Sequence, residues 1–215
     1  MSGSDLLLKI LQINDTLFPT GGFAYSDGLE TAVTNRLVCE SATFERWLRQ
    51  YIELVFVPCE GLAVKLAMHA GEEALQKLDE ELTAIKPAAS ARAASTTVGR
   101  GFLKAVSTLH QIPTRSIENL PVVYGVACRH FRVETEDALS AFAYNRLAAT
   151  TSAALRVMSI GQQQAHGALT QVLKDVPAAV NQIMNNSDTH ITSFAPMLDI
   201  QQMNHRYLYS RLFRS

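Results

Sequence analysis

Ser41-Ala42-Thr43-Phe44-Glu45-Arg46-Trp47-Leu48-Arg49-Gln50-Tyr51-Ile52-Glu53-Leu54-Val55 spaces Phe44, Trp47, Leu48, Tyr51, Ile52 and Val55 mostly three or four residues apart. At about 3.6 residues per turn these side chains share one face, so the stretch reads as an amphipathic helix. Ser41 reads as its N-cap. Glu45 falls in the first turn, where a carboxylate meets the positive end of the helix dipole. Pro58 lacks the N–H that the helical ladder needs, so it is expected to kink or end the helix.

The same spacing continues outward. Leu62, Leu66 and Met68 resume it, and a further helix is expected from Glu72 to Ile85, before Pro87. Ala88 to Ser95 is rich in Ala and Ser and reads either as a loop or as a helix start. Val98, Phe102, Val106 and Leu109 repeat at helical spacing until Pro113. Pro121 is expected to open a helix at a first-turn position, carrying Val122, Val123, Val126 and Cys128. Thr135 before Glu136 and Asp137 is an N-terminal signal for a helix with Leu139, Phe142, Ala143, Leu147 and Leu155 on its apolar face. Gly161 and Gly167 are expected to flank a Gln-rich turn or weak point. Leu169, Val172, Leu173 and Val176 form one helix, Pro177 starts another with Val180, Ile183 and Met184, and Asn185 to Asp188 is a turn signal. No alternating strand pattern is bounded by turns. The expectation is an all-α fold: one compact multi-helix domain over 1–215, helical through most of 5–185, with a flexible N-terminus at 1–4 and a partner-binding tail at 206–215.

Composition narrows the function. The chain has 215 residues, 47% of them hydrophobic and 18% charged, which suits a globular domain with a sizeable core. A net charge of −1 gives no basic surplus for nucleic acid or an anionic membrane. Cys39, Cys59 and Cys128 are odd in number and form no CxxC, so a reducing cytoplasm fits better than a disulfide framework. Met1 to Leu11 has no basic leader and no small-residue cleavage site, and no apolar run approaches a membrane span.

Each end carries a distinctive segment. Phe18-Pro19-Thr20-Gly21-Gly22-Phe23-Ala24-Tyr25-Ser26-Asp27-Gly28-Leu29-Glu30 gathers three aromatics around a glycine turn. It reads either as a pocket or partner contact or as a tight turn that buries its aromatics. The C-terminal segment runs from Ser193 through Pro196, Leu198, Asp199, Met203, His205 and Arg206 to Tyr207-Leu208-Tyr209-Ser210-Arg211-Leu212-Phe213-Arg214-Ser215. Aromatics and arginine are enriched at protein–protein hot spots, so this tail reads as a partner-binding element. The bland alternative is a tail folded back on its own core.

These two segments resemble the signatures of the UreF family of urease accessory proteins. Gly99-Arg100-Gly101-Phe102-Leu103 is similar to the family's central Gly-Arg-x-Phe stretch, Arg156 through Gly161-Gln162 to its arginine-to-GQ segment, and Pro121 with Gly125 to its P-x-x-x-G helix start. The stretch 65–95 carries no matching motif. The resemblance implies an all-α homodimer without catalysis of its own. It would bind a UreD/UreH-type scaffold, then the UreG GTPase and the urease apoprotein, with nickel handled by the assembled complex rather than bound as a stable cofactor. It further implies that Phe23 and Arg211 contact partners. Gly21, Gly22, Tyr25 and Ser26 share the first motif, and Tyr209, Ser210, Leu212, Phe213 and Arg214 share the second.

Other chemistry lacks support. There is no G-x-x-x-x-G-K-[ST] phosphate loop and no nucleophile elbow. His69, His110, His130, His166, His190 and His205 are scattered, and none pairs with another His or a Cys at four-residue spacing. Cys59, Glu60 or a dimer-interface His is open to transient nickel contact, without support from spacing. Arg100, Arg211 and Arg214 raise the thought of an arginine acting in trans on a GTPase, but pairing with a partner carboxylate explains a terminal arginine more simply. The rival readings are a helical ligand-binding enzyme with a pocket at the glycine–aromatic loop, which needs convergent titratable residues in a deep cleft, and a generic helical structural subunit.

Overall fold

The computed structural model describes residues 3–113 and 116–214. Met1, Ser2 and Ser215, which belong to the expected N-terminal and C-terminal segments, lie outside the described residues. Helices follow one another along the chain: α1 (Gly3–Ile13), α2 (Leu29–Thr34), α3 (Ser41–Tyr51), α4 (Gly61–His69), α5 (Glu72–Ile85), α6 (Ala89–His110), α7 (Leu120–Phe131), α8 (Thr135–Val157), α9 (Gln162–Leu173), α10 (Val176–Asn185) and α11 (Pro196–Asn204). The fold is all-α, with no strand among the described residues. Gly3 and Ser4, expected to be flexible, form the first turn of α1.

Pro58 neither ends nor breaks the helix that begins at Ser41. A π-helical segment, Ile52–Glu60, carries the chain from α3 directly into α4 with Pro58 inside it. The wider turn absorbs the missing donor, and the Pro58 carbonyl accepts a hydrogen bond from the Thr192 N–H at 2.9 Å. Ser41 is the first residue of α3 rather than its cap. The cap position is Glu40, whose N–H donates to Thr43 Oγ1 at 3.1 Å. The Ala/Ser stretch is the start of α6. The Gln-rich segment is helical rather than a turn. It opens α9, with Gly161 at the cap position and Gly167 within the helix. Glutamine keeps its rotamer freedom in a helix, so a Gln run is no breaker.

α7 is the central helix. Every residue from Leu120 to Cys128 is buried, which suits a helix enclosed on all sides. It packs against α4 and α6, while α8 contacts α4, α9 and α10. A row of aromatic rings runs through this core: Phe56–Phe142, Phe142–Tyr124, Tyr124–Phe102 and Phe102–Phe18, at 6.5, 5.0, 5.7 and 5.6 Å between centroids. Such contacts each add about 0.5–1.5 kcal/mol beyond area burial. The row joins the π segment at one end to the glycine loop at the other, so that loop sits on a rigid base.

Candidate functional site

The glycine loop turns on Gly21, whose φ of 78° is a left-handed conformation that a side chain would strain. Thr20 holds the turn, its Oγ1 accepting the Gly22 N–H at 3.1 Å. The loop lies close over α6: a Cβ on Gly101 would stand 2.5 Å from the Thr20 carbonyl oxygen. This geometry divides the three aromatics. Phe18 is buried against Phe102, Tyr25 is half-buried, and Phe23 is 75% exposed.

The C-terminal tail crosses this loop. Glu30, buried in the first turn of α2, accepts the Leu212 N–H at 2.6 Å on one carboxylate oxygen. Its other oxygen takes the Phe213 N–H at 3.2 Å and pairs with His205 Nε2 at 2.8 Å. The Arg214 N–H donates to the Ala24 carbonyl at 2.8 Å. From α8, Arg156 stacks its guanidinium 4.1 Å from the Phe213 ring centroid and donates to the Phe23 carbonyl at 2.8 Å. The two terminal segments therefore form one structure, although the sequence reading sets the tail apart from the folding core. Phe213 is 5% exposed and belongs to the hydrophobic cluster. Ring burial is worth about 1.5–3 kcal/mol, enough to hold a short segment that an isolated terminus would leave loose.

Among the residues singled out from sequence, Phe23, Tyr209 and Leu212 point outward, with Gly21, Ser210, Arg211 and Arg214 also exposed. Ser26 is buried and accepts the Glu30 N–H on Oγ at 3.4 Å. Ser26 and Phe213 thus support the surface from below. Gly22 and Tyr25 are half-buried. Glu30, Arg156 and His205 stood in the quoted segments without an assigned role. An acidic residue closing the first signature was the only available hint.

Beneath the loop lie two small cavities of about 70 and 80 Å³. They share Gly22, Tyr25, Asp27 and Arg146 in their walls. Glu60, at the end of the π segment, accepts from Lys86 Nζ at 3.0 Å and from the Tyr51 hydroxyl at 3.0 Å. Arg146 lies 3.4 Å from Glu60 and pairs with Asp27 at 2.6 Å. Burial pushes the Glu60 carboxyl upward, but Lys86 and Arg146 outweigh it and hold the group down at about 2. These titratable groups converge as an enzyme site would, yet each charge is matched by a neighbour. The space suits a few waters rather than a drug-sized ligand of about 300 Å³ or more.

Burial pushes the Cys59 and Cys128 thiols up to about 12, which keeps both protonated at neutral pH. Among the described residues no three His, Cys, Asp or Glu side chains gather where a metal would fit. Arg100 is engaged with Glu118 at 2.5 Å. Among the described residues no helix is long and apolar enough to cross a membrane.

Comparison with known proteins is decisive on kinship: the UreF family model matches residues 38–173, more than half of the chain. The chain belongs to the UreF family. Relatives carrying the name urease accessory protein UreF resemble it end to end. One from Marinomonas sp. (strain MWYL1) is 27% identical over 216 residues, covering 97% of this chain and 94% of the relative. Others from Arthrobacter sp. (strain FB24) and Bacillus sp. (strain TB-90) are 28% and 27% identical, again across 97% of this chain. The UreF family match lies between the two terminal segments, whereas these alignments reach nearly the whole chain.

Proposed function

We propose that this chain is a non-enzymatic urease accessory protein, an adaptor that assembles the machinery loading nickel into urease. In this reading it bridges a UreD/UreH-type scaffold and the UreG GTPase on the urease apoprotein, in the cytoplasm and as a homodimer. Nickel is cargo of the assembled complex. The observation that carries the reading is that the two terminal segments meet, through the Arg214 N–H on the Ala24 carbonyl and through Arg156, while Phe23, Tyr209 and Leu212 stay exposed. An adaptor needs an exposed face rich in aromatics and arginine, whereas an enzyme needs an open reactive cleft. The names of the relatives support urease maturation as the setting. The paired interior charges and protonated thiols fit a chain whose working part is its surface.

The test is co-purification of the full chain with the UreD/UreH-type scaffold and with UreG. The expected result is capture of the scaffold, and of UreG through it, in proportion to added chain. Absence of capture under conditions where the chain is folded overturns the reading.

A further inference from the structure

Among the described residues, α1 makes no extended contact with another helix. Its C-terminal end is pinned: Ile13 is buried, Asn14 Nδ2 donates to the Tyr124 hydroxyl at 3.0 Å, and Asn145 Nδ2 donates to the Asn14 carbonyl at 2.9 Å. The preceding turns rest on Leu6, Ile10 and Lys9, whose Nζ stands 5.7 Å from the Phe131 ring centroid. His110, the last residue of α6, meets the same ring in a T-shaped contact at 5.0 Å, and His130 of α7 lies 5.9 Å from it. We propose that this junction is a pH-sensitive seat for α1: a neutral His110 keeps the helix docked, and protonation of His110 loosens it. The seat stands on its own geometry, apart from the adaptor reading.

His110 Nε2 is shut off from solvent and has no hydrogen-bond partner among the described residues. A neutral ring can leave a lone pair there, whereas an imidazolium must place an N–H with nothing to accept it. The charged groups that act on the ring are Lys9 from α1 and His130 from α7, both cations when protonated. Asp5, the carboxylate of α1, is paired with Lys9 at 3.4 Å, and Arg129 of α7 donates to the Ala70 carbonyl at 2.6 Å. Both histidines stand in the last turns of their helices, where the dipole favours a cation. For His110, burial first, then Lys9 and His130, outweigh that and lower its pKa from the ordinary 6.5. The seated state therefore binds the proton less readily than the open one, so its advantage is complete above 6.5 and is lost as pH falls through that value. Moving α1 carries Lys9 away and opens the ring to water. It also re-aims Leu7, Leu8 and Leu11, the exposed apolar side of α1.

The experiment is amide hydrogen exchange on the full chain at about pH 7.5 and about pH 5.5, corrected for the intrinsic pH dependence of exchange, beside an NMR titration of the His110 ring. Protection of the α1 amides is expected to fall at least about threefold on acidification, with a ceiling of about tenfold for one group read one pH unit below 6.5, while α7 keeps its protection. The His110 ring should titrate with a midpoint below 6.5. His110→Phe keeps an aromatic ring on Phe131 and takes up no proton, so its α1 protection should stay level between the two pH values. Level protection in the wild type, a midpoint at or above 6.5, or a fall that persists in His110→Phe overturns the seat. A fall shared by α7 is global acid unfolding and overturns it too. If His110→Phe does not fold, Lys9→Met decides. Removing that cation lets the seated His110 accept the proton more readily, so the fall in α1 protection should shrink; an undiminished fall overturns the proposal.

Discussion

Glu60 shows how a single buried charge is kept. Its folded value of about 2 lies below the ordinary 4.5, so the folded state binds the proton less readily than the unfolded one. The stability this supplies is complete above the ordinary value and is lost as pH falls through 4.5 toward about 2. Urea unfolding of the wild type should therefore show a steep acid limb in that window. Glu60→Gln should flatten the limb and cost about 3–5 kcal/mol at neutral pH, because Lys86 and Arg146 would keep buried charge without its counterpart. Phe213 makes a smaller contribution. Phe213→Ala should lower stability by about 2 kcal/mol, mostly as lost ring burial, since a surface strap can relax without leaving a full cavity.

Among the helices, the run from α3 through the π segment to α4 matters most to the site. It brings Tyr51 and Glu60 to one side of the interior and Lys65 to the end of α10. There Lys65 Nζ donates to the carbonyls of Ile183, Met184 and Asn186 at 2.9, 3.1 and 2.7 Å. These carbonyls lie at the negative end of a helix, where an ammonium group is favoured. Lys65→Met should lower stability by about 1–2 kcal/mol in chemical unfolding while helical content by circular dichroism stays unchanged. The seat of the glycine loop on α6 is equally specific. Gly101→Val would drive a branched side chain into the Thr20 carbonyl, 2.5 Å from the first added carbon, and should cost about 1–3 kcal/mol through overpacking. A Gly101→Val melt equal to the wild type would contradict that close seat.

At the scale of the whole molecule, the exposed residues are set by contacts that cross the chain. If the tail is a partner surface, Arg211→Ala should weaken scaffold binding by about 2 kcal/mol with the melting temperature unchanged, because Arg211 is exposed and makes no ion pair among the described residues. Isothermal titration reads the first quantity and differential scanning calorimetry the second. Truncation after His205 should do more than remove a binding element. It deletes Phe213 from the core and two donors from Glu30, so the melting temperature should fall along with scaffold capture. The proposed homodimer predicts twice the 23.6 kDa chain mass by light scattering at micromolar concentration.

The amino-acid sequence by itself determined the all-α class and most of the helices, because apolar spacing of three and four residues is a local signal. The Glu72–Ile85 helix could be read with its boundaries, and Pro121 marked the first turn of α7. α11 was not read from the sequence, although Pro196 stands in its first turn. The resemblance to the UreF family was also legible, because its signatures are short runs of neighbours. Pro58 was read only as a kink or an end, because a π turn depends on what surrounds it, including the Thr192 N–H that donates to the Pro58 carbonyl. The hold of Glu30 on the tail was invisible for the same reason at longer range. Glu30 lies 175 residues from His205, 182 from Leu212 and 183 from Phe213, and no spacing rule reaches so far. Only the packed core, which places α2, α8 and the glycine loop side by side, decided that the tail folds back, that Phe213 goes in and that Leu212 stays out.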